Sequence, residues 1–239
     1  MFKDNAVANL SRLSQNTYPG RGIILGVTPD DRKFVQVYWI MGRSENSRNR
    51  IFVQEEGEVC TRAFDPSKVK DPSLIIYSPV RSYGDFHVVS NGDQTDTVVE
   101  ALRRGRTFES ALSGRTFEPD SPNYTPRITG IMEVGGMDGY KLAIIKPGES
   151  GPETCLRAFY HYDSVIPGFG HCIHTYTGDG DPLPAFDGEP YLLPMPAKTE
   201  ETLHLYWEAL NPENRISLLV KQIHRETGVS TISIINRLG

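Results

Sequence analysis

The densest run of residues able to do chemistry is Gly42-Arg43-Ser44-Glu45-Asn46-Ser47-Arg48-Asn49-Arg50. It follows an apolar, aromatic stretch and precedes another, so it sits at the end of a strand. Guanidiniums this closely spaced make poor core packing, but their planar forks suit phosphate or carboxylate. A solvated hairpin loop is the plain alternative. The donors Ser44, Asn46, Ser47 and Asn49 favour an anion site over it.

Other segments could add to such a site. Tyr18-Pro19-Gly20-Arg21-Gly22 sets a guanidinium between glycines that permit close backbone approach, although alone it reads as a turn. Val89–Asp96 joins a strand to a helix start, where free N–H groups can receive an anion. An Asn91-Gly92 turn followed by a cap at Thr95 explains the same residues, and the two readings stand level. Asp120–Ile128 is a polar loop stiffened by Pro122 and Pro126, with Asn123 inside it and Arg127 at the edge of the next strand. Tyr77 ends an apolar stretch and, taken alone, reads as core.

Several chemistries find no support. His161, His171 and His174 are not spaced as metal ligands on one strand face. Asp179, Asp181, Asp187 and Glu189 match no calcium loop. The chain has no Walker A, GxGxxG or GxSxG motif. Cys60, Cys155 and Cys172 are too few and too scattered for a disulfide framework or a zinc knuckle. A net charge of −5 argues against nucleic-acid backbones as partners and gives no reason for a membrane surface. Residues 1–13 lack the apolar core of a signal peptide, and no stretch approaches the roughly 20 apolar residues of a membrane span. A cytoplasmic protein is expected.

The elements that must position these residues read mostly as hairpins. Gly22–Val27 and Phe34–Met41 form one, Arg50–Val53 and Val59–Phe64 a second, and Leu74–Tyr77 and Phe86–Val89 a third. A helix begins at Thr95 or Asp96 and stops at Gly105; a shorter one covers Phe108–Ser113. Arg127–Val134 and Tyr140–Lys146 pair across Gly135–Gly139, and Thr154–Tyr162 is expected to pair with His171–Thr177. Pro182–Pro196 is a surface crossing. Thr199 caps a helix over Leu203, Tyr206 and Leu210. A further helix over Ile216, Leu219, Val220 and Ile223 precedes a last strand, Val229–Ile235. Consecutive hairpins imply antiparallel sheets with helices on their faces, in one domain over residues 1–239.

Four of these segments occur here in an order that resembles the archaeal-type inosine-monophosphate (IMP) cyclohydrolase family: Tyr18–Gly22, Arg43–Arg50, Ser90–Asp96 and Thr125–Ile128. The likeness covers roughly residues 15–145. It implies an α+β fold, a four-layer αββα sandwich of two antiparallel sheets related to the N-terminal-nucleophile hydrolases. It implies ring closure of 5-formamidoimidazole-4-carboxamide ribonucleotide to IMP with loss of water, no metal or organic cofactor, and a homo-oligomer. By the same resemblance Arg43, Tyr77 and a carboxylate, Glu118 or Asp120, would be catalytic. Arg21, Ser44, Asn49, Arg50, Asn91, Gly92, Thr95, Asn123 and Arg127 would bind the purine nucleotide. A regulatory nucleotide-binding protein on the same fold, or an amide hydrolase using an internal cysteine, are the competing readings; thiol alkylation separates the latter.

Overall fold

The computed structural model describes residues 2–69, 72, 75–136 and 139–239. A helix, α1 (Phe2–Gln15), leads into β1 (Gly22–Val27) and β2 (Lys33–Met41). One helical turn, α2 (Glu45–Arg48), precedes β3 (Arg50–Glu55), β4 (Glu58–Ala63), β5 (Val80–Tyr83) and β6 (Phe86–Ser90). Then come α3 (Gln94–Arg103), α4 (Phe108–Leu112), β7 (Arg127–Glu133), β8 (Tyr140–Gly148), β9 (Gly151–Tyr162), β10 (Phe169–His174) and β11 (Tyr191–Pro194). The chain closes with α5 (Thr199–Ala209), β12 (Arg215–His224) and β13 (Ser230–Asn236).

The strands form two antiparallel sheets. One has six strands in the order β11-β10-β1-β2-β12-β13; the other is a seven-stranded meander from β3 to β9 in chain order. Ile23, Leu25, Tyr38, Ile40 and Leu219 from the first sheet pack on Phe52, Val89, Ile128, Leu142 and Ile144 from the second. The outer face of the six-stranded sheet (Ile24, Val37, Trp39, Val220) is covered by Leu13 of α1 and Leu203, Tyr206 and Trp207 of α5. On the other side Val88, Ile131 and Ala143 lie under Val98 and Val99 of α3 and Phe108 and Leu112 of α4. Strands covered on both faces must be apolar on both, and this is why β1 is buried at every position.

Four expectations are corrected. Residues 215–224 are the strand β12, hydrogen-bonded between β2 and β13, and not a helix. Its apolar run satisfies a helical spacing only because both of its faces are buried. The partner of Phe86–Ser90 is β5, Val80–Tyr83, whereas Tyr77 lies before Pro79, outside any strand. Strands β9 and β10 do not pair with each other: β9 adds to β8, and β10 crosses to β1 in the other sheet. The proline-rich crossing contains an edge strand, β11, where Pro194 is tolerated because an edge strand need not donate on both sides. Leu74 of the expected third hairpin, and Met137 and Asp138 of the glycine-rich turn, lie outside the described residues.

Candidate functional site

Arg21 is placed by its backbone before its side chain is considered. Gly20, at φ +72°, turns the chain into β1, and an added Cβ there would meet Thr175 Oγ1 at 2.1 Å. The Arg21 N–H donates to Thr175 Oγ1 (3.1 Å), and Trp39 Nε1 donates to the Gly20 carbonyl (2.9 Å). From this fixed base the guanidinium reaches under the second sheet. Nη1 donates to the Asn91 carbonyl (3.1 Å) and Nη2 to Glu118 Oε2 (2.9 Å). Both side chains of the ion pair are buried, at 11% and 4% exposure. Glu118 is itself held by its N–H, which donates to the Thr125 carbonyl across the 119–124 turn (2.9 Å).

The Gly42–Arg50 segment divides its three guanidiniums. Ser44 caps α2, its Oγ accepting from the Ser47 N–H (3.1 Å). The turn sends Arg48 back to the Gly42 carbonyl (3.0 Å). Arg43 lies over the Tyr18 ring, its Cζ 4.8 Å from the centroid, and reaches Asp179 (2.5 Å). Arg50 points inward and is 3% exposed; its Nε donates to the Ser47 carbonyl (2.7 Å). Among the described residues no carboxylate pairs with Arg50. Burial pushes its pKa down, with the Tyr77 phenol working against that and Arg21 adding to it.

Tyr38 and Tyr77 join their phenol oxygens at 2.7 Å beside these two arginines. Burial pushes the Tyr38 phenol well above its ordinary range, so it remains a hydroxyl. For Arg21, burial is outweighed by the Glu118 carboxylate, and the guanidinium stays charged at every accessible pH. Burial raises Glu118 above the usual carboxylate range, opposed by Arg21 and Arg127. Glu118 is therefore the member of the pair whose protonation can change.

A cleft of about 460 Å³ opens onto these groups. Of the residues expected at a site, Arg21, Arg43, Ser44, Arg50, Glu118 and Asn123 line it. Neither Tyr77 nor its partner Tyr38 lines it; their paired phenols lie beside Arg21 and Arg50. Asp120, the other candidate carboxylate, faces the cleft, but its oxygens accept from the Thr125 N–H and Oγ1. The others are engaged elsewhere. Asn49 is tied to Asp65, donating to its carbonyl and accepting its N–H. Asn91 is 0% exposed, its Oδ1 accepting from Ile128 and Gln94 and its Nδ2 donating to the Pro126 carbonyl. Thr95 donates to the Gly92 carbonyl (3.1 Å). Arg127 donates to Asp93, Gln94 and the Thr116 carbonyl, against Gly92, where an added Cβ would meet it at 2.6 Å. Asn91, with the neighbours bonded to it, builds the wall that carries Arg21.

Tyr18, Tyr176 and Thr125 also line the cleft. The Tyr18 and Tyr176 rings stack 6.0 Å apart, and the Tyr176 hydroxyl meets Thr125 Oγ1. Tyr176 and Asp179 come from the segment after β10 and carry no local motif, so only the folded chain brings them here. No cysteine lines the cleft, and burial drives the Cys172 thiol up to about 12, which leaves it without nucleophilic character. His171 and His174 serve separate partners, Tyr140 and the Tyr176 carbonyl. Among the described residues no group of three or more His, Cys, Asp or Glu is set to hold a metal.

Three guanidiniums, a protonatable acid and tyrosine hydroxyls gathered at one cleft suit a small anionic molecule on which a proton can be moved. Residues 18–227 match the family of IMP cyclohydrolase-like proteins, and the chain belongs to that family. It is 34% identical over 120 residues to the IMP cyclohydrolase of Methanopyrus kandleri (48% of this chain, 59% of the relative). It is 31% identical over 121 residues to that of Methanothrix thermoacetophila (48% and 57%), and 30% over 120 residues to that of Methanococcus maripaludis strain C7 (48% and 58%). The aligned stretch thus spans less than two thirds of these relatives. No helix among the described residues is long and apolar enough to cross a membrane.

Proposed function

We propose that this cleft closes 5-formamidoimidazole-4-carboxamide ribonucleotide to IMP. The reading is carried by one observation: the buried Arg21–Glu118 pair stands beside Arg50, a buried guanidinium with no carboxylate partner among the described residues. An uncompensated buried charge is costly, and it is retained where an anionic ligand supplies the missing charge. The names of the relatives point to the same reaction.

In this reaction the carboxamide nitrogen adds to the formyl carbon and gives up a proton. The formyl oxygen, taking a proton, becomes a hydroxyl. That hydroxyl then leaves as water while the former formamido nitrogen loses its proton to form the C=N bond. Holding the two groups face to face supplies much of the acceleration, and the stiff walls of the cleft serve that. Arg21 faces the developing oxyanion, and Glu118 carries the proton between nitrogen and oxygen. Tyr77, through Tyr38, orients the formyl oxygen or relays its proton. Arg43 and Arg50 take the phosphate, with Ser44 and Asn123 at the rim. Asn91, Gly92, Thr95, Arg127 and Asn49 act from behind, by fixing the arginines.

The same reading makes residues 1–239 one αββα domain related to the N-terminal-nucleophile hydrolases, working as a cytoplasmic homo-oligomer without a cofactor. The test follows IMP formation spectrophotometrically with the wild type, Arg43→Ala and Tyr77→Phe. Both substitutions are expected to lower turnover by about tenfold or more. Unchanged turnover in both would remove the assignment, and tight IMP binding without turnover in the wild type would make the protein a purine-nucleotide sensor.

A further inference from the structure

The two ion pairs at the cleft differ in how readily the arginine can be given up to a ligand. Arg21 and Glu118 are closed off from water. Arg43 and Asp179 meet at the mouth, with side-chain exposures of 42% and 47%. A pair so exposed is stabilised weakly and can be exchanged for a stronger partner. The Tyr18 ring supports the Arg43 guanidinium from one side. Its edge is spent on Asp179 and on the Gly180 carbonyl, at 3.4 and 3.5 Å. That edge is the part a phosphate would need.

We propose that Asp179 masks Arg43: it occupies the guanidinium in the free protein and must be displaced before an anionic ligand can take it, whereas a neutral nucleoside neither displaces it nor needs to. The inference rests on the reading in which Arg43 takes the substrate's anionic group. A phosphate monoester carries up to two negative charges and offers oxygens to both arms of a guanidinium, so it outcompetes a single exposed carboxylate. A nucleoside brings no charge with which to displace Asp179.

The structure gives the displaced carboxylate somewhere to go. Asp179 lines not the cleft but a separate groove of about 710 Å³ beside α1, with Arg12 and Asn16 on its wall. Gly178 and Gly180 flank Asp179 and leave the backbone there free of side chains. The far end of the segment is pinned, since the Leu183 N–H donates to Asn123 Oδ1 (3.0 Å). Movement is thereby confined to the few residues that carry Asp179. In this arrangement Asp179 lowers affinity for any ligand that must take Arg43 and leaves that for a neutral nucleoside unchanged.

The sign of one measurement decides. Calorimetric titration of IMP and of inosine is made on the wild type, Asp179→Asn and the Arg43→Ala/Asp179→Asn double variant. Asparagine keeps an oxygen for the Gly180 N–H, which now donates to Asp179 at 2.9 Å, so the loop is preserved. Asp179→Asn is expected to bind IMP about three- to tenfold more tightly, with inosine unchanged and the gain lost in the double variant. Equal or weaker IMP binding in Asp179→Asn, an equal gain for inosine, or no IMP binding by any of the three proteins would overturn the proposal. Tighter IMP binding by Asp179→Asn, with no turnover of the formamido nucleotide in any protein, would remove the cyclohydrolase reading and leave the role of Asp179 standing.

Discussion

Two clusters of polar side chains are buried in the same sandwich, and they are built on opposite plans. At one end of β2, Tyr38 and Tyr77 stand with Arg21, Arg50 and Glu118 beside an open cleft. Two residues back along β2, Gln36 shares the inner layer with Lys221, Ser82 and His87. There Lys221 Nζ donates to Ser82 Oγ (2.9 Å), Ser82 Oγ lies 3.0 Å from His87 Nδ1, and Gln36 Nε2 donates to the His87 carbonyl (3.0 Å). The first cluster keeps its charges and faces a cavity. The second lines none of the principal cavities, and its ionisable groups are driven toward neutrality. Burial takes Lys221 down to about 8, with Glu58 opposing, and takes His87 down to about 3, with Lys221 adding to it. A chain that disfavours charge where nothing enters, and holds guanidiniums charged where something can, marks its site by that contrast.

The contrast is broken most directly at Glu118. In Glu118→Gln the hydrogen bond to Arg21 can persist while the proton-carrying group is gone. Turnover is expected to fall about 100-fold or more, with KM nearly unchanged. The variant also leaves Arg21 charged and uncompensated, so stability should fall by about 3–5 kcal/mol. Full turnover in steady-state assays of the folded variant would place the chemistry elsewhere.

Arg50→Met tests the other half of the argument and gives opposite signs in two measurements. Methionine fills the volume without a charge that burial disfavours, so the thermal midpoint should hold or rise. IMP affinity, measured by titration, should fall about tenfold or more with the loss of a charge-assisted contact. A lower midpoint with unchanged affinity would make Arg50 structural and would remove the observation on which the proposed function rests.

These residues were legible in the sequence to different degrees, for physical reasons. Arg43 and Arg50 stand out because charged side chains beside apolar strands have few structural uses, whereas Arg21 alone reads as a turn and Glu118 entered, beside Asp120, only through the family resemblance. Asn91, Gly92, Thr95 and Arg127 look the same in type, yet their groups are spent on neighbours, because the atoms that bind a ligand also serve internal hydrogen bonds. Tyr38 was hidden in an apolar run: β2 is buried on both faces, and alternation carries no signal there. The same cause disguised β12. The opening helix α1 escaped notice because only Ala6 and Leu13 of its face are buried. Strands such as β1 and β7, rich in β-branched residues and bounded by turns, were read nearly to the residue.

Lys221→Met sharpens the comparison from the closed cluster. Turnover should be unchanged, and stability at neutral pH should rise by about 1–3 kcal/mol as a buried cation is replaced by an apolar chain. The pH dependence carries the sign. Between about 8 and the ordinary lysine value of 10.5, the unfolded chain holds a proton that the folded one has released. Wild-type stability relative to the variant therefore rises with pH through that window and is constant below it. Denaturant midpoints of both proteins from pH 7 to 11 check this, and a difference that does not vary with pH would show that Lys221 is ordinarily charged in the fold.

The smallest effect is expected at Gln36. Its Oε1 is buried and has no hydrogen-bond partner among the described residues, while its Nε2 bonds the His87 carbonyl. Gln36→Leu removes one made hydrogen bond and one unmade one together. The first is worth about 1 kcal/mol net, and the second costs a comparable amount to bury. The two should nearly cancel, leaving the denaturant midpoint within the equivalent of about 1 kcal/mol of wild type. A loss well beyond that would mean the amide holds Lys221, Ser82 and His87 in place as a network, and the closed cluster would then be as tightly specified as the open one.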